Sequence, residues 1–140
     1  MNDVKQIIVV RKLFPDADGN MRKIRIGKYC AQSSHSSMAW ICHRIQDALG
    51  KKGELSKLLK LSPAELQWVR TNFKKVVVSV DSEEELLSIH AAAKKAGLES
   101  QLITDSGLTE FNGVPTKTAL AIGPDEANKI DPITGHLPLF

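Results

Sequence analysis

Only two cysteines occur in this chain, Cys30 and Cys42. Both fall in one predicted helix, about 18 Å apart along its axis, whereas the Cα atoms of a disulfide lie within about 7 Å. Two free thiols are expected, and a disulfide framework is excluded. Long apolar runs are also missing. The longest, Gln6 to Val10 and Val76 to Val80, are far below the roughly 20 residues that span a bilayer. The N-terminus has neither the basic-then-apolar order of a secretory signal nor an Arg- and Ser-rich, acid-poor stretch, so a cytoplasmic protein with no membrane association is expected. No phosphate-cradling GxxxxGKS/T loop, GxGxxG, HExxH, GxSxG or CxxC occurs, which argues against nucleotide hydrolysis and zinc chemistry. The four histidines are scattered, and only His35 and His43 share a helix, about 12 Å apart. No metal and no cofactor are expected. Neither repeats nor low-complexity segments are present.

What is present fits one globular domain over residues 1–140, with 42% hydrophobic and 25% charged side chains. The net charge of +3 hides an asymmetry. Residues 1–60 carry twelve Lys and Arg against five Asp and Glu, and residues 61–140 carry seven against eleven. A basic N-terminal half suits a polyanionic partner, although solvated surface lysines produce such splits too.

Gln6 to Leu13 reads as a buried strand and Asn20 to Ile26 as an alternating one, with a turn over Pro15 to Gly19. The Asp16, Asp18, Gly19 and Asn20 cluster lacks the glutamate of a calcium loop, since Gly27 stands eleven positions after Asp16. A helix is predicted from Lys28 to Leu49, its core stripe formed by Ala31, Ser34, Met38, Ile41, Ile45, Ala48 and Leu49. Trp40 falls off that stripe and reads as exposed. Lys28, Gln32 and His35 converge near the helix start along the stripe's border. Gly50 to Leu61 reads as a basic connector. Ser62 with Glu65, and Ser82 with Glu85, are capping-box signals; the first starts a short helix anchored by Trp68, and the second starts one that stops at Gly97. Strands are predicted over Lys74 to Val80, Leu98 to Thr104 and Thr116 to Ile122, with a brief helix starting at Gly123 to Asp125 before an irregular tail.

Strands separated by helices of this length imply parallel crossovers. The expected fold is therefore α/β, a three-layer α/β/α arrangement around a mixed, mostly parallel sheet of four to five strands. Ligands in such folds gather at the carboxyl ends of strands, which draws attention to Asp105 and the loop Ser106, Gly107, Leu108, Thr109. Read from the residues alone, Asp105 fits an Asx-turn to Gly107 better than it fits chemistry. Lys28 is equally consistent with a surface lysine at a helix start, and His35 with a hydrogen-bonded buried ring.

The order of these motifs resembles the type II peptidyl-tRNA hydrolases over nearly the whole chain. The Ile-Ile-Val-Val-Arg strand leads into Gly27-Lys28-x-x-Ala31-Gln32-x-Ser34-His35, followed by the Lys75 to Val78 strand and Ala96-Gly97-Leu98. Then come Ile103-x-Asp105-x-Gly107-x-Thr109, Thr118-Ala119-Leu120-Ala121-Ile122-Gly123-Pro124 and Thr134-Gly135-His136-Leu137. Ser33 stands where the family usually has cysteine, Cys30 and Ser106 where it has alanine, and extra residues occur around Phe14 to Asn20 and Lys51 to Leu66. The resemblance implies cleavage of the ester joining peptide to tRNA. It implies a catalytic set of Lys28, Asp105, Thr109, Gln32, His35 and Thr118, with Asp105 handling water and Lys28 supporting it. It also implies peptidyl-tRNA as substrate and a homodimer. The basic side chains Arg22, Lys23, Arg25, Lys94 and Lys95 are the candidates for RNA contact, and Trp40 is a candidate dimer contact, with cover by the Lys51 to Leu66 connector as its alternative. A non-catalytic tRNA-binding module on the same fold, or a hydrolase of another aminoacyl ester, are the alternatives.

Overall fold

The Ile- and Val-rich run at the N-terminus forms β1 (Val4–Arg11), buried along almost its whole length because both of its faces are covered. The computed structural model describes residues 2–55 and 59–140; the expected basic connector therefore lies partly outside the described residues. After β1 come a two-residue pair, β2 (Phe14–Pro15) and β3 (Met21–Arg22), then α1 (Ile26–Leu49), α2 (Pro63–Arg70), β4 (Lys75–Val80), α3 (Glu83–Lys95), β5 (Ser100–Asp105), β6 (Thr116–Glu126) and α4 (Ala127–Thr134).

The main sheet has the order β4-β1-β6-β5. β1 pairs in parallel with β4, from Gln6 opposite Lys75 to Arg11 opposite Val80. β6 lies between β1 and β5 and runs antiparallel to both. Three of the four strands, β1, β4 and β5, thus share one direction, as the helical crossovers require, and β6 is inserted against them by a loop that simply turns back from β5. The α/β class and the mixed four-stranded sheet agree with expectation. A further short pairing comes from the tail: the Ser79 N–H donates to Pro138 O and the Phe140 N–H to Val77 O, with an isolated bridge between Val78 and Leu139. The tail thereby covers part of β4's open edge.

Alternation along β1 sorts the core into two layers. Ile7 and Val9 join Val78, Val80, Leu120 and Ile122 under Leu86, Ile89 and Ala93 of α3 and Ile130 of α4. On the opposite face, Ile8, Val10 and Ala121 pack with Phe14, Ile24 and Tyr29, while Val4 meets Trp40 of α1 and Trp68 of α2. The two indoles make an edge contact at 6.2 Å between ring centroids. Ser62 caps α2 with a complete reciprocal box through Glu65. At α3 the Ser82 side chain accepts from the Glu85 N–H, and Gly97, at φ +76°, turns the chain out of the helix.

Three expectations are corrected. The segment Asn20 to Ile26 is extended only at Met21–Arg22. Asp16 accepts from the Asp18 and Asn20 N–H groups to tie the hairpin turn, and the Tyr29 hydroxyl, accepting from the Ile24 N–H and donating to Lys12 O, draws the chain straight into α1. Second, β6 continues through Gly123 and Pro124 to Glu126, pairing Lys5 with Asp125 and Val4 with Glu126, and α4 starts only at Ala127.

Third, the buried face of α1 is rotated from the expected stripe. Ala31, Ser34, Met38 and Leu49 are exposed, while Tyr29, Gln32, Ser36, Ser37, Ala39, Trp40 and Ala48 are buried. Small residues let the helix approach the sheet closely, and polar partners satisfy the hydroxyls. Ser37 donates to the Oε1 of Gln6, whose amide donates back to Ser37 O, and Gln6 is fully buried. Trp40 is 2% exposed, so it is a core residue and no surface contact. Trp40→Ala is expected to lower the unfolding free energy by about 3–5 kcal/mol in urea titrations; a loss within about 0.5 kcal/mol, the surface value, would contradict this packing.

Candidate active site

β5 ends at Asp105 at the same edge of the sheet where α1 begins, because β1, which precedes α1, runs parallel to β5. A six-residue strand and the first turns of a helix thus bring together side chains 77 positions apart. Lys28 Nζ donates to Asp105 Oδ1 at 2.8 Å and to Thr109 Oγ1 at 3.0 Å. One helical turn on, Gln32 Nε2 donates to the same Oδ1 at 3.2 Å. Gln32 is oriented in turn by the Thr118 hydroxyl of β6, which donates to Gln32 Oε1 at 2.6 Å. Thr118 is 2% exposed and Gln32 9%, so these two lie beneath the site, whereas Thr109 is exposed at its surface.

The other oxygen of the carboxylate, Oδ2, accepts from the Gly107 N–H at 2.9 Å. The Asx-turn considered from the sequence is therefore real, and it forms part of the site. Gly107 is required there. Its φ is +83°, and a Cβ would stand 2.2 Å from Val114 O, so no other residue closes the loop this tightly.

Lys28 and Asp105 side chains are only 15% and 11% exposed. Partial burial pushes the Asp105 carboxyl up, but hydrogen bonds from Lys28 and Gly107, the Lys28 charge and the Gln32 amide outweigh it and hold the group below the usual carboxylate range. α1 begins beside the site; its N-cap, Arg25, makes no side-chain cap bond and its first turn carries no acidic residue, and such a helix end carries partial positive charge.

Of the six residues expected at the site, Lys28, Gln32, Asp105, Thr109 and Thr118 come together. His35 does not. It lies about 10 Å further along the helix axis than Lys28, exposed, in a groove with Ala31, Ser34, Met38 and Cys42. The basic residues divide as well. Arg22, Lys23 and Arg25 are exposed beside the start of α1, and Arg25 reaches Glu110 at 2.9 Å. Lys94 and Lys95 end α3, which returns to the amino end of β5, so they sit at the opposite edge of the sheet, about 16 Å of strand from Asp105.

Phe111 was not foreseen in the sequence. Its ring centroid lies 6.0 Å from Lys28 Nζ and 4.9 Å from the Phe14 ring. An aromatic in a loop carries no periodic signal, although its place two residues after Thr109 was a clue. Among the described residues no group of His, Cys, Asp or Glu side chains is arranged to hold a metal ion, and no helix is long and apolar enough to cross a membrane.

The family model described as peptidyl-tRNA hydrolase PTH2 matches residues 4–140. The chain belongs to this family. It is 39% identical to a peptidyl-tRNA hydrolase of Methanothermobacter thermautotrophicus, over 98% of this chain and all of the relative. A peptidyl-tRNA hydrolase of Methanopyrus kandleri is 38% identical over 97% of both chains. The human protein named peptidyl-tRNA hydrolase 2, mitochondrial, is 34% identical over 99% of this chain and 65% of its own length. A solved structure of an Agrobacterium protein of unknown function has a TM-score of 0.53 at 15% identity, covering 100% of this chain and 99% of that one, and speaks for the fold alone.

Proposed function

We propose that this chain hydrolyses the ester between peptide and tRNA in peptidyl-tRNA, releasing both, in the compartment where translation runs, expected to be the cytoplasm. The observation that carries the mechanism is the Lys28–Asp105 pair at the end of β5, with Thr109 and Gln32 bonded to it. In this reading the Asp105 carboxylate orients a water molecule against the ester carbonyl. The water oxygen bonds to the acyl carbon, and the carbonyl oxygen takes up the negative charge. Collapse breaks the bond from acyl carbon to ribose oxygen, and the water's proton passes to that oxygen, leaving a terminal hydroxyl and a peptide acid. Lys28 keeps Asp105 ionised and, with the positive end of α1, stabilises the oxyanion or the terminal phosphate. Thr109 offers a hydroxyl at the surface of the site. Gln32 and Thr118 are positioning residues, since both of their contacts are spent on holding Asp105. His35 has no part in the reaction.

Lys28→Met and Asp105→Asn are each expected to reduce release of the acyl group from N-blocked aminoacyl-tRNA at least about a hundredfold; near-normal turnover in either folded variant overturns the assignment. The sign of the pH dependence follows from the depressed Asp105 carboxyl. Its charge is lost only as pH falls through a value below the usual range, so its carboxyl carbon stays flat by NMR between about pH 5 and 8. In Lys28→Met the upward push of burial loses its main opposition, and the titration moves up. A titration that stays in place removes Lys28 from this role.

Arg22, Lys23 and Arg25, at the edge of the sheet that holds the site, carry the RNA contact in this reading, and Lys94 and Lys95 are too distant to share it. Replacing the three by glutamine is expected to flatten the slope of log affinity against log salt by about 2 to 3, with no such change for Lys94 and Lys95. The reverse pattern would move the RNA to the other end of the sheet.

The exposed stripe of α1, with Ala31, Met38 and the half-buried Ile41, Cys42 and Ile45, supports a homodimer formed through this helix in place of Trp40. Met38→Glu is then expected to shift sedimentation equilibrium from a dimer to the 15.4 kDa monomer. A wild-type protein that sediments only as monomer disposes of the dimer.

A further inference from the structure

A second feature adjoins the site. A cleft of about 340 Å³ opens at the carboxyl end of β1 and the start of β6, between the β2–β3 hairpin, the start of α3 and the loop that follows Asp105. That size lies within the range of small-ligand sites, and the strand ends are where such folds place ligands. Phe111 belongs both to this cleft and to the surroundings of Lys28. A chain attached to an ester carbonyl beside Asp105 would reach this space past the Phe111 ring.

The lining decides which half of the substrate enters. Phe14, Phe111, Val114 and Pro115 make apolar walls, and Asp16, Glu83 and Glu110 supply three carboxylates. Two arginines oppose them. Arg11 is buried, its guanidinium donating to Leu13 O and Lys117 O, which leaves Arg22 at the exposed mouth. Glu110 is itself paired with Arg25, so the lining carries no excess of positive charge to hold a phosphate backbone, whereas its apolar surface and the remaining carboxylates accommodate peptide side chains. On the α1 side, Lys23 offers an exposed cation.

Resting on the esterase reading above, we propose that this cleft is the subsite for the peptide's C-terminal residues, that it favours neutral or cationic side chains there, and that the 3′ end of the RNA approaches from the α1 side. The geometry sets the substrate across the Lys28–Asp105 pair, with acyl and RNA portions diverging. The β2–β3 hairpin is one wall, so the extra residues around Phe14 to Asn20 act in substrate selection.

Wild-type release of peptide from peptidyl-tRNA is measured first, and its absence would count against the esterase reading itself. Val114 is 60% exposed, so Val114→Trp fills the cleft without disturbing the core. The expected result is a KM about tenfold higher for tRNA bearing an N-blocked tripeptide, with inhibition by deacylated tRNA unchanged. An unchanged KM, or a parallel loss of inhibition by deacylated tRNA, overturns the subsite. Glu83→Lys, also at an exposed position, provides an independent measurement. The ratio of kcat/KM for peptides with lysine to those with glutamate next to the ester-linked residue should fall several-fold. An unchanged ratio together with tighter binding of deacylated tRNA would assign the cleft to RNA instead.

Discussion

The Asp105 carboxylate joins three parts of the fold, α1, its own loop and, through Gln32, β6. Its Oδ1 receives Lys28 and Gln32 from α1, and its Oδ2 receives the Gly107 N–H from its own loop. Beneath it, Thr118 of β6 fixes which end of the Gln32 amide faces the carboxylate. If that amide turned over, a carbonyl oxygen would oppose Oδ1 and the hydroxyl would face an NH₂ group. The chain of donors is therefore directional, and each member depends on the next. Its placement depends on β6 running against β1 and β5, which puts a threonine of the central sheet under the first turns of α1. Buried polar groups are costly when unpaired, and among the described residues no buried side-chain nitrogen or oxygen lacks a partner.

Much of this was legible in the sequence, and the failures share a cause. Ser62 with Glu65, Ser82 with Glu85, and Gly97 marked helix ends correctly because caps are local bonds between neighbours in sequence. Lys28, Gln32 and Asp105 were legible through helical spacing, a strand end and the order of motifs. The face of α1 was not. A helical wheel weighs hydrophobicity, and this helix buries Ser36, Ser37 and Gln32 while leaving Met38 and Leu49 outside. Those serines are inside because they are small and because Gln6, 31 positions from Ser37, satisfies one of them; neither fact has periodicity. His35 was grouped with Lys28 on angular grounds, and the rise along the axis separates them. The continuation of β6 through Gly123 and Pro124 was hidden for a similar reason. Glycine followed by proline reads locally as a break, yet pairing with Val4 and Lys5 carries the strand on.

The arrangement also constrains how the water is used. An ionised carboxylate offers about four lone-pair sites. Among the described residues Lys28 and Gln32 take two on Oδ1 and Gly107 takes one on Oδ2, which in the proposed reaction leaves one site, on Oδ2, for the water. A group held below the usual carboxylate range is a weak base near neutrality. Lowering its basicity in order to abstract a proton would be self-defeating, whereas fixing its rotation and charge suits the water-aiming role proposed for it. In the proposed reaction, orientation together with the Lys28 ammonium beside the developing charge supplies the acceleration.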